Sequence, residues 1–466
     1  MSVRSRHVEY EAMSSRWEMC RDASEGEHAV HQARTRYLPK LKNETDDAYK
    51  LRLAMTPFFG ATYRTIAGLR GMIFRKPPVV DVSAVVEEMS QDIDLAGTSL
   101  LNMAQAAVEG VLTVGRAGLL VDYPMAPPGI TNADAQALNL RPLISMFRAE
   151  SIYNWSTTRR NGVTTLSMVR LTEEADLDSA DEFERKCEKR YRVLDLINGV
   201  YRQRVYRVNE KDEEVQVGVD IFPTMNNATL DYIPFVFLGA SGTSPRVGAP
   251  PLIDLVTTNF HHYMQATSYE RGCFFSGLPT MFISGLEDNE KEISIGGPTA
   301  NALSNPDAKA YYVEVASQFE ALRRNLEDKK QEMAVLGARM LEAPKAGVEA
   351  AETIARRQSG EMALLSDISQ TIGAGIGRAL QWFSDWAGAA GEVKFGLNRD
   401  FLPAGISAQD VTALVSAWQA GAFSAETLFD NLVAGEIISD GVSFEEEQAR
   451  VGNAGPRLAN GSDLSV

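Results

Sequence analysis

The fold is decided by a stretch that begins PPLIDLVTTNFHHYMQATSYERG (residues 250–272) and ends FEALRRNLEDKKQEMAVLGARMLE (residues 319–342). Both ends have the apolar periodicity of a helix, and about 25 residues of helix would be roughly 40 Å long. We therefore expect two long helices, each with one apolar packing stripe. The stripe residues are Leu252, Val256, Phe260, Tyr263 and Thr267 in the first helix and Phe319, Leu322, Leu326, Met333 and Leu336 in the second.

The helical pattern is lost between these two segments, from about residue 276 to 315. Residues 279–284 (PTMFIS) and 310–315 (AYYVEV) read as strands, and the glycines and prolines between them supply turns. The sequence therefore predicts a small β unit at the far end of the two helices.

Composition describes a folded, acidic protein. The chain has 466 residues, of which 44% are hydrophobic and 23% charged, and its formal net charge is -16. Such a chain can bury a large core, and it is not a simple basic nucleic-acid binder, because tight duplex binding requires many cations. The one basic surplus lies in residues 1–80, with 14 Lys and Arg against 9 Asp and Glu. That surplus fits a contact with nucleic acid or an acidic neighbour, and equally a solvated helix face.

Cysteines and hydropathy place the chain in a reducing, aqueous setting. Cys20, Cys187 and Cys273 lie far apart, so neither a disulfide framework nor a zinc module is indicated. The N-terminus lacks the apolar core of a signal peptide, and no apolar run is long enough to span a bilayer. We expect a soluble protein with no membrane partner.

Outside the central stretch the sequence alternates between helical and strand patterns. An apolar helix over residues 99–114 leads into a buried strand, and residues 142–237 alternate as strands do, with a hairpin turn at Asn198-Gly199. The charged run 172–189 is expected to form a solvated helix or a long loop. Helix resumes over residues 348–388, followed by a short strand near residue 394, and further helices begin at Ser407 and Ser424.

Motifs that carry chemistry are scarce. The sequence has no phosphate-binding P-loop, and the glycines of residues 373–377 favour close helix packing over dinucleotide binding. His261 and His262 are adjacent and would diverge on a helix, while His28 and His31 have no carboxylate or cysteine set nearby. Residues 407–449 contain eight acids and no Lys or Arg, so the C-terminal helices cannot dock on phosphates. We expect no enzymatic activity, no catalytic residue, no cofactor and no metal.

Several motifs, in their order and spacing, resemble the portal proteins of tailed bacteriophages over roughly residues 10–435. Single residues in them are common, and the ensemble is what carries the resemblance. The segments are YLPKL (37–41), GMIFRKPP (71–78), GAPPLIDL (248–255), LPT (278–280), GG (296–297), YVE (312–314), EMA (332–334), LGAR (336–339) and ET (352–353).

The resemblance implies a homo-oligomeric ring, typically of twelve copies, at one vertex of a phage capsid. Such a ring is the conduit through which double-stranded DNA passes without sequence specificity during packaging and ejection. It also docks the terminase, the major capsid or scaffold protein, and head-completion or tail adaptor proteins. The implied location is the virion, and the host cytoplasm during assembly.

The resemblance also implies an α+β, mainly helical subunit whose parts map onto this sequence. An acidic conduit would repel phosphate rather than grip it, which agrees with the net charge. The expected parts are an N-terminal helical region and α/β wing (1–247), a first stem helix (248–275), a β-containing clip (276–315), a second stem helix (316–342), a tunnel loop (343–347), a long helix returning to the wing (348–402), and a helical crown with a C-terminal tail (403–466).

Candidate functional residues follow from this assignment. Lys345 and Arg339 are candidates to face DNA in the channel, and Glu287, Asp288, Glu290 and Glu292 are candidates to dock partners at the clip. The apolar residues of the two helix stripes are candidates for stem packing. Two other interpretations stay open: a minor head or adaptor ring protein, and an enzyme with an unrecognised site.

Overall fold

The computed structural model describes residues 2–125, 138–160, 162–177, 183–277, 280–284, 307, 309–313, 319–337, 351–389, 391–401, 408–439 and 441–454. Helices and strands both contribute, as expected for an α+β chain. The chain divides into two compact units, Met1–Arg399 and Asp400–Val466.

Helices hold more residues of the first unit than strands do, and several begin at the hydroxyl caps that the sequence offers. Thr45 Oγ1 accepts a hydrogen bond from Ala48 N at 3.2 Å, and Ser99 Oγ accepts one from Asn102 N at 3.2 Å. Short 3-10 turns lie at Arg34–Arg36, Ser90–Asp92 and Ala149–Ser151. The α-helices are α1 (Val8–Glu25), α2 (Glu27–Ala33), α3 (Asp46–Met55), α4 (Ala61–Ile73), α5 (Ala84–Met89), α6 (Leu100–Val114), α7 (Ile253–Gly277), α8 (Phe319–Gly337) and α9 (Ala351–Trp386).

The strands of this unit all pair antiparallel. A three-stranded sheet has the order β11-β2-β3, a five-stranded meander has the order β4 to β8, and three two-stranded ribbons pair β1 with β14, β9 with β10 and β12 with β13. The strands are β1 (Val79–Asp81), β2 (Arg116–Asp122), β3 (Leu143–Arg148), β4 (Ile152–Arg160), β5 (Val163–Leu177), β6 (Lys186–Ile197), β7 (Val200–Val208), β8 (Glu214–Ile221), β9 (Thr224–Met225), β10 (Ala228–Thr229), β11 (Phe235–Gly239), β12 (Thr280–Ser284), β13 (Lys309–Val313) and β14 (Lys394–Gly396).

The hairpin predicted at Asn198-Gly199 is confirmed. Both residues have positive φ, 51° and 81°, and Ile197 pairs with Val200 across the turn. This is the backbone twist that a two-residue turn between antiparallel strands requires.

The prediction for the charged run 172–189 is wrong for residues 172–177 and 186–189, because β5 continues to Leu177 and β6 begins at Lys186; the described residues between them, 183–185, are an exposed loop. Glu173 lies opposite Arg190, and Glu174 lies opposite Lys189. Glu173 Oε1 also accepts a hydrogen bond from Arg192 Nε at 2.6 Å. The charges therefore neutralise one another across the strands, which lets a charged sequence extend the sheet.

The core joins the N-terminal helices to one face of the meander and to the three-stranded sheet. Trp17, Tyr201 and Phe237 are among its largest buried side chains. The apolar helix and buried strand predicted over residues 99–124 are confirmed as α6 and β2.

A buried arginine sits within this core. The Arg116 guanidinium carbon lies 4.2 Å from the Trp155 ring centre and 4.3 Å from that of Phe237, and Nη1 donates to Pro245 O at 2.8 Å. Burial lowers the pKa of Arg116 to about 9, so the group still carries its charge at neutral pH. The aromatic faces stabilise that charge in place of water.

Helix α9 packs closely at the glycines of residues 373–377, with Gly375 against the three-stranded sheet and Gly373 against β14 and Leu397. A Cβ on Gly375 would stand 2.2 Å from Leu238 Cδ2, and one on Gly373 would stand 3.5 Å from Leu397 N. The expectation that these small residues serve close packing is confirmed.

Residues 2–7 form an N-terminal arm that lies on the meander. Arg4 Nη1 donates to Asp212 Oδ1 at 2.7 Å, and Ser2 and Arg4 both bond to Glu214. In the other direction, Arg170 Nη1 donates to Ser2 O at 2.6 Å and Asn154 Nδ2 donates to Ser5 O at 3.1 Å. The arm is thus fixed to both edges of the meander and to a strand between them.

The second unit contains helices α10 (Ala408–Gln419), α11 (Ala425–Ala434) and α12 (Phe444–Ala454). The expected start of α11 is confirmed, because Ser424 Oγ accepts a hydrogen bond from Thr427 N at 3.1 Å. Gly421 has a φ of 79° just beyond α10, as a helix-ending glycine does. Helix α12 continues to Ala454, within the range expected for the helical crown and C-terminal tail.

Candidate functional site

The candidate site is the helix pair α7 and α8 with the strand ribbon β12–β13, here called the tip ribbon. A Cβ on Gly272, near the end of α7, would lie 2.2 Å from the Phe319 ring at the start of α8. At the other end, a Cβ on Gly337 would lie 3.3 Å from Leu252. The two helices therefore run antiparallel, and the tip ribbon stands between them in the chain.

Helix α7 buries the stripe expected from the sequence. Its five residues are each at most 7% exposed. Phe260 stacks on Tyr37 at 4.1 Å between ring centres, and Tyr263 meets Phe58 edge-on at 5.7 Å. These contacts anchor α7 to the N-terminal helices. The stripe residues are Leu252, Val256, Phe260, Tyr263 and Thr267.

A second face of α7, which sequence reasoning missed, is buried as well. Asn259 is fully buried: its Nδ2 donates to Phe59 O at 2.8 Å, and its Oδ1 accepts from Thr62 Oγ1 at 2.9 Å. This clamp joins the middle of α7 to the start of α4. The sequence does contain a sign of this second buried face. A second row of residues at helical spacing begins and ends with an apolar side chain: Leu255, Asn259, His262 and Ala266.

His262 lies on this second face and is 5% exposed. Neither ring nitrogen has a hydrogen-bond partner among the described residues. Burial, with a smaller effect from the nearby Lys330 charge, lowers the pKa of His262 to about 4. The Phe59 ring lies 5.6 Å from His262 and 5.4 Å from Lys330 Nζ. The imidazole is therefore neutral at physiological pH.

Helix α8 is buried far less than α7. Met333 of its stripe is fully buried, Phe319, Leu322 and Leu326 are half-buried, and Leu336 is 40% exposed. Val335 is 58% exposed. Within one chain, α8 therefore leaves an apolar surface at Val335 and Leu336 incompletely covered.

The charges of α8 are arranged as pairs along the helix. Arg323 and Arg324 both bond to Glu320, at 2.9 and 3.1 Å, and Lys329 Nζ lies 2.5 Å from Glu332 Oε2. Such exposed pairs add little stability, but they leave the helix surface nearly neutral.

Helix α7 also borders a cavity of about 360 Å³ whose walls include Thr267, Arg271 and Phe274 on one side and residues 41–56 on the other. Arg52 and Glu44 form a buried ion pair there, with Nε to Oε1 at 2.7 Å. The hydrogen bond from Arg52 lowers the pKa of Glu44 to about 2. The pair holds the 41–45 loop in place beside α7.

The tip ribbon confirms the two strands expected beyond α7. Its register pairs Thr280 with Val313 and Ser284 with Lys309. Tyr311 is exposed on it. The clip candidates Glu287, Asp288, Glu290 and Glu292 and the channel candidates Arg339 and Lys345 lie outside the described residues.

Within the described parts of the chain, no group of three or more His, Cys, Asp or Glu side chains could hold a metal ion. Likewise, none of the described helices is long and apolar enough to cross a membrane.

Comparison with known proteins gives one family and several solved structures. Residues 251–387, which contain the whole site, match a family described as a domain of unknown function, DUF4055. No curated protein matches the sequence.

Three of the solved chains that are similar to this one come from gene transfer agent (GTA) particles. One, from the "Virion of native gene transfer agent (GTA) particle", is 11% identical with a TM-score of 0.39 and covers 90% of this chain and 98% of its own. One from the "Neck of empty GTA particle computed with C6 symmetry" is 12% identical with a TM-score of 0.41, at the same coverage. One from the "Neck of native GTA particle computed with C12 symmetry" is 12% identical with a TM-score of 0.39 and covers 80% of this chain and 90% of its own.

Proposed function

We propose that this chain is the subunit of a portal-type ring, the conduit for DNA at one vertex of a phage capsid. The observation that carries the proposal is the asymmetry of the helix pair. Helix α7 is buried on two faces by its own chain, whereas α8 leaves Val335 and Leu336 exposed. In a ring, the helix pair of the next copy would cover this surface.

Charge supports the same proposal. The net charge of -16 disfavours tight binding of phosphate, as a channel for sliding DNA requires, and the exposed ion pairs of α8 let neighbouring copies approach without a large like-charge penalty. We assign Lys345 and Arg339 to the channel wall, as transient phosphate contacts. We assign Glu287, Asp288, Glu290 and Glu292 to the docking of terminase and, later, of head-completion or tail proteins.

The test is negative-stain electron microscopy of the purified chain, with its mass in solution. We expect rings of about twelve copies with a central bore, as the resemblance implies. Val335→Glu should prevent ring formation, because it places a charge in a closed apolar contact. Val163→Glu, at a similarly exposed valine beside the turn between β4 and β5, is the matched control and should still form rings.

Two results would overturn the proposal. One is a monomer at every concentration at which the chain remains folded. The other is a ring that forms equally well with Val335→Glu, since α8 would then lie outside the contact between copies.

A further inference from the structure

The second unit exposes apolar helix faces to an unusual degree. Helix α10 carries apolar residues at i, i+3, i+4 and i+7, and α11 carries two apolar pairs one turn apart, yet none of these side chains is fully buried. Over residues 409–439 and 441–451, where side chains are described, every apolar side chain is half-buried or exposed. The residues are Val411, Leu414, Val415 and Trp418 in α10 and Leu428, Phe429, Leu432 and Val433 in α11.

A unit of this size and packing needs a binding partner that buries its exposed apolar residues. Phe429 meets Phe444 edge-on at 5.5 Å, which joins α11 to α12, but Trp418 is 39% and Val451 61% exposed. Domains of a few tens of residues bury too little apolar surface to be stable without further support. An amphipathic helix face in water is completed by a partner face.

The charge of the unit indicates which kind of partner fits. Residues 407–449 contain no Lys or Arg. Glu426 and Asp430 lie one turn apart on α11, and helical spacing puts Glu426 beside Phe429 and Asp430 beside Val433. Glu445, Glu446 and Glu447 occupy the first turn of α12. Among the described residues of this unit the charged side chains are therefore acids, apart from Arg450 in α12, which pairs with Glu447 at 3.6 Å.

Three kinds of occupant conflict with this charge. Nucleic acid and anionic lipid are repelled by the acids. A second copy of the same surface would set acid against acid. A basic helix with its own apolar stripe satisfies both the uncovered apolar residues and the acids around them.

We propose that α10 to α12 form a docking site for a basic amphipathic helix of a partner protein. The partner's apolar stripe lies on the α10 and α11 faces, and its Lys or Arg side chains pair with Glu426, Asp430 and the acids of α12. This site does not depend on ring formation, and it goes beyond the conduit role.

The experiment uses the full chain and a fluorescein-labelled peptide of about 18 residues, roughly five helical turns, made of Leu and Lys with Leu at i, i+3, i+4 and i+7. A second peptide of the same composition in shuffled order has the same charge without the stripe. Anisotropy measures affinity at physiological salt, and hydrogen exchange locates the contact.

We expect the striped peptide to bind on the order of tenfold more tightly than the shuffled one and to slow exchange within residues 408–454 only. Glu426→Gln with Asp430→Asn should weaken binding at least about fivefold. The matched control, Glu87→Gln with Glu88→Gln, removes two exposed acids from α5 and should change nothing. Trp418→Ala should also weaken binding, with helicity checked by circular dichroism.

Equal affinities for the two peptides would mean that binding depends on total charge and not on the apolar stripe, and would overturn the proposal. So would exchange protection in residues 2–399, or an unchanged affinity in the Glu426/Asp430 variant. If sedimentation shows that Trp418→Ala instead lowers the oligomeric state, the cover is a second copy and a foreign helix is ruled out.

Discussion

Two polar side chains on α7 decide how the helix pair is held. Asn259 satisfies a backbone carbonyl and a hydroxyl in an enclosed space, whereas His262 has no described hydrogen-bond partner. Buried polar groups stabilise a fold when they are paired and destabilise it when they are not. Replacing Asn259 by an apolar residue should therefore destabilise the chain, whereas replacing His262 in the same way should stabilise it.

The first prediction concerns pH. Since the pKa of His262 is about 4 in the folded chain and about 6.5 when unfolded, the unfolded state takes up a proton first as the pH falls. This residue should lower the free energy of unfolding progressively as the pH falls from about 6.5 to about 4, by about 2 kcal/mol at pH 5. His262→Phe should remove that part of the loss.

Urea unfolding at pH 7.5 and pH 5.0 measures the effect as a difference between the native chain and the variant. His261→Phe, at the exposed neighbouring position, is the control and should keep the native pH dependence. An unchanged loss of stability in His262→Phe would contradict the assignment.

The second prediction concerns the clamp. Asn259→Leu leaves the buried Thr62 hydroxyl without this partner and removes one of the two donors to Phe59 O, which keeps its bond from Ala61 N; we expect a loss of about 2 kcal/mol in the free energy of unfolding. Adding Thr62→Val removes the hydroxyl and should restore about 1 kcal/mol. Ser268→Ala, on the exposed side of the same helix, should change stability by less than about 0.5 kcal/mol. Strictly additive losses for Asn259 and Thr62 would argue against the clamp.

Sequence reasoning identified the apolar stripe of α7 but missed Asn259 and His262. A single stripe predicts one buried face, and polar residues off the stripe are normally solvated. Only the tertiary arrangement, in which α4 covers a second side of α7, turns these residues inward. The row of residues at helical spacing from Leu255 to Ala266 is the part of the sequence that indicates the second buried face.

At the scale of elements, the contact between α9 and the three-stranded sheet depends on a missing side chain. Gly375→Ala would place its Cβ 2.2 Å from Leu238 Cδ2, so the fully buried Leu238 side chain would have to shift within a packed core. We expect a loss of about 2 kcal/mol in the free energy of unfolding.

Gly71→Ala is the matched control for Gly375→Ala. Gly71 is also helical, but nothing lies within 4 Å of its Cβ position, so alanine should stabilise the chain by about 0.5 to 1 kcal/mol. If both substitutions shift the urea midpoint in the same direction, the close contact of α9 is not what Gly375 serves.

The tip ribbon gives a prediction about partner docking. Since Ser284 lies opposite Lys309, residues 285–308 can be replaced by Asn-Gly, the turn that such a register closes best. We expect this variant to form rings but to lose terminase binding in a pull-down. A milder variant, with Glu287, Asp288, Glu290 and Glu292 changed to amides, should weaken binding. Normal binding by the replacement variant would refute the clip assignment.

Elements fixed by neighbouring residues in the sequence were predictable, whereas elements fixed by pairing between distant strands were not. Asn198-Gly199 requires positive φ at both positions, so the hairpin follows from two residues. The ends of β5 and β6 are extended because Glu173 and Glu174 face Arg190 and Lys189, residues more than a dozen positions away. No local window contains that complementarity, and a charged run by itself indicates solvation.

At the scale of the whole molecule, the division into two units makes the second unit dispensable for folding the first. Every buried apolar side chain of the described residues lies at or before Phe401. A chain that ends at Phe401 should therefore melt within a few degrees of the full chain and, on the proposed function, still form rings. Aggregation of the truncated chain, or a large drop in its melting temperature, would contradict this independence.

The N-terminal arm has a consequence for the order of events during synthesis. The ribosome makes residues 2–7 before the groups that hold them, which follow between 149 and 212 residues later. Contacts between such distant positions form slowly, because a long loop must close before they contribute. The arm can therefore dock first on Asn154 and Arg170, and its contacts are completed only once Glu214 has left the exit tunnel.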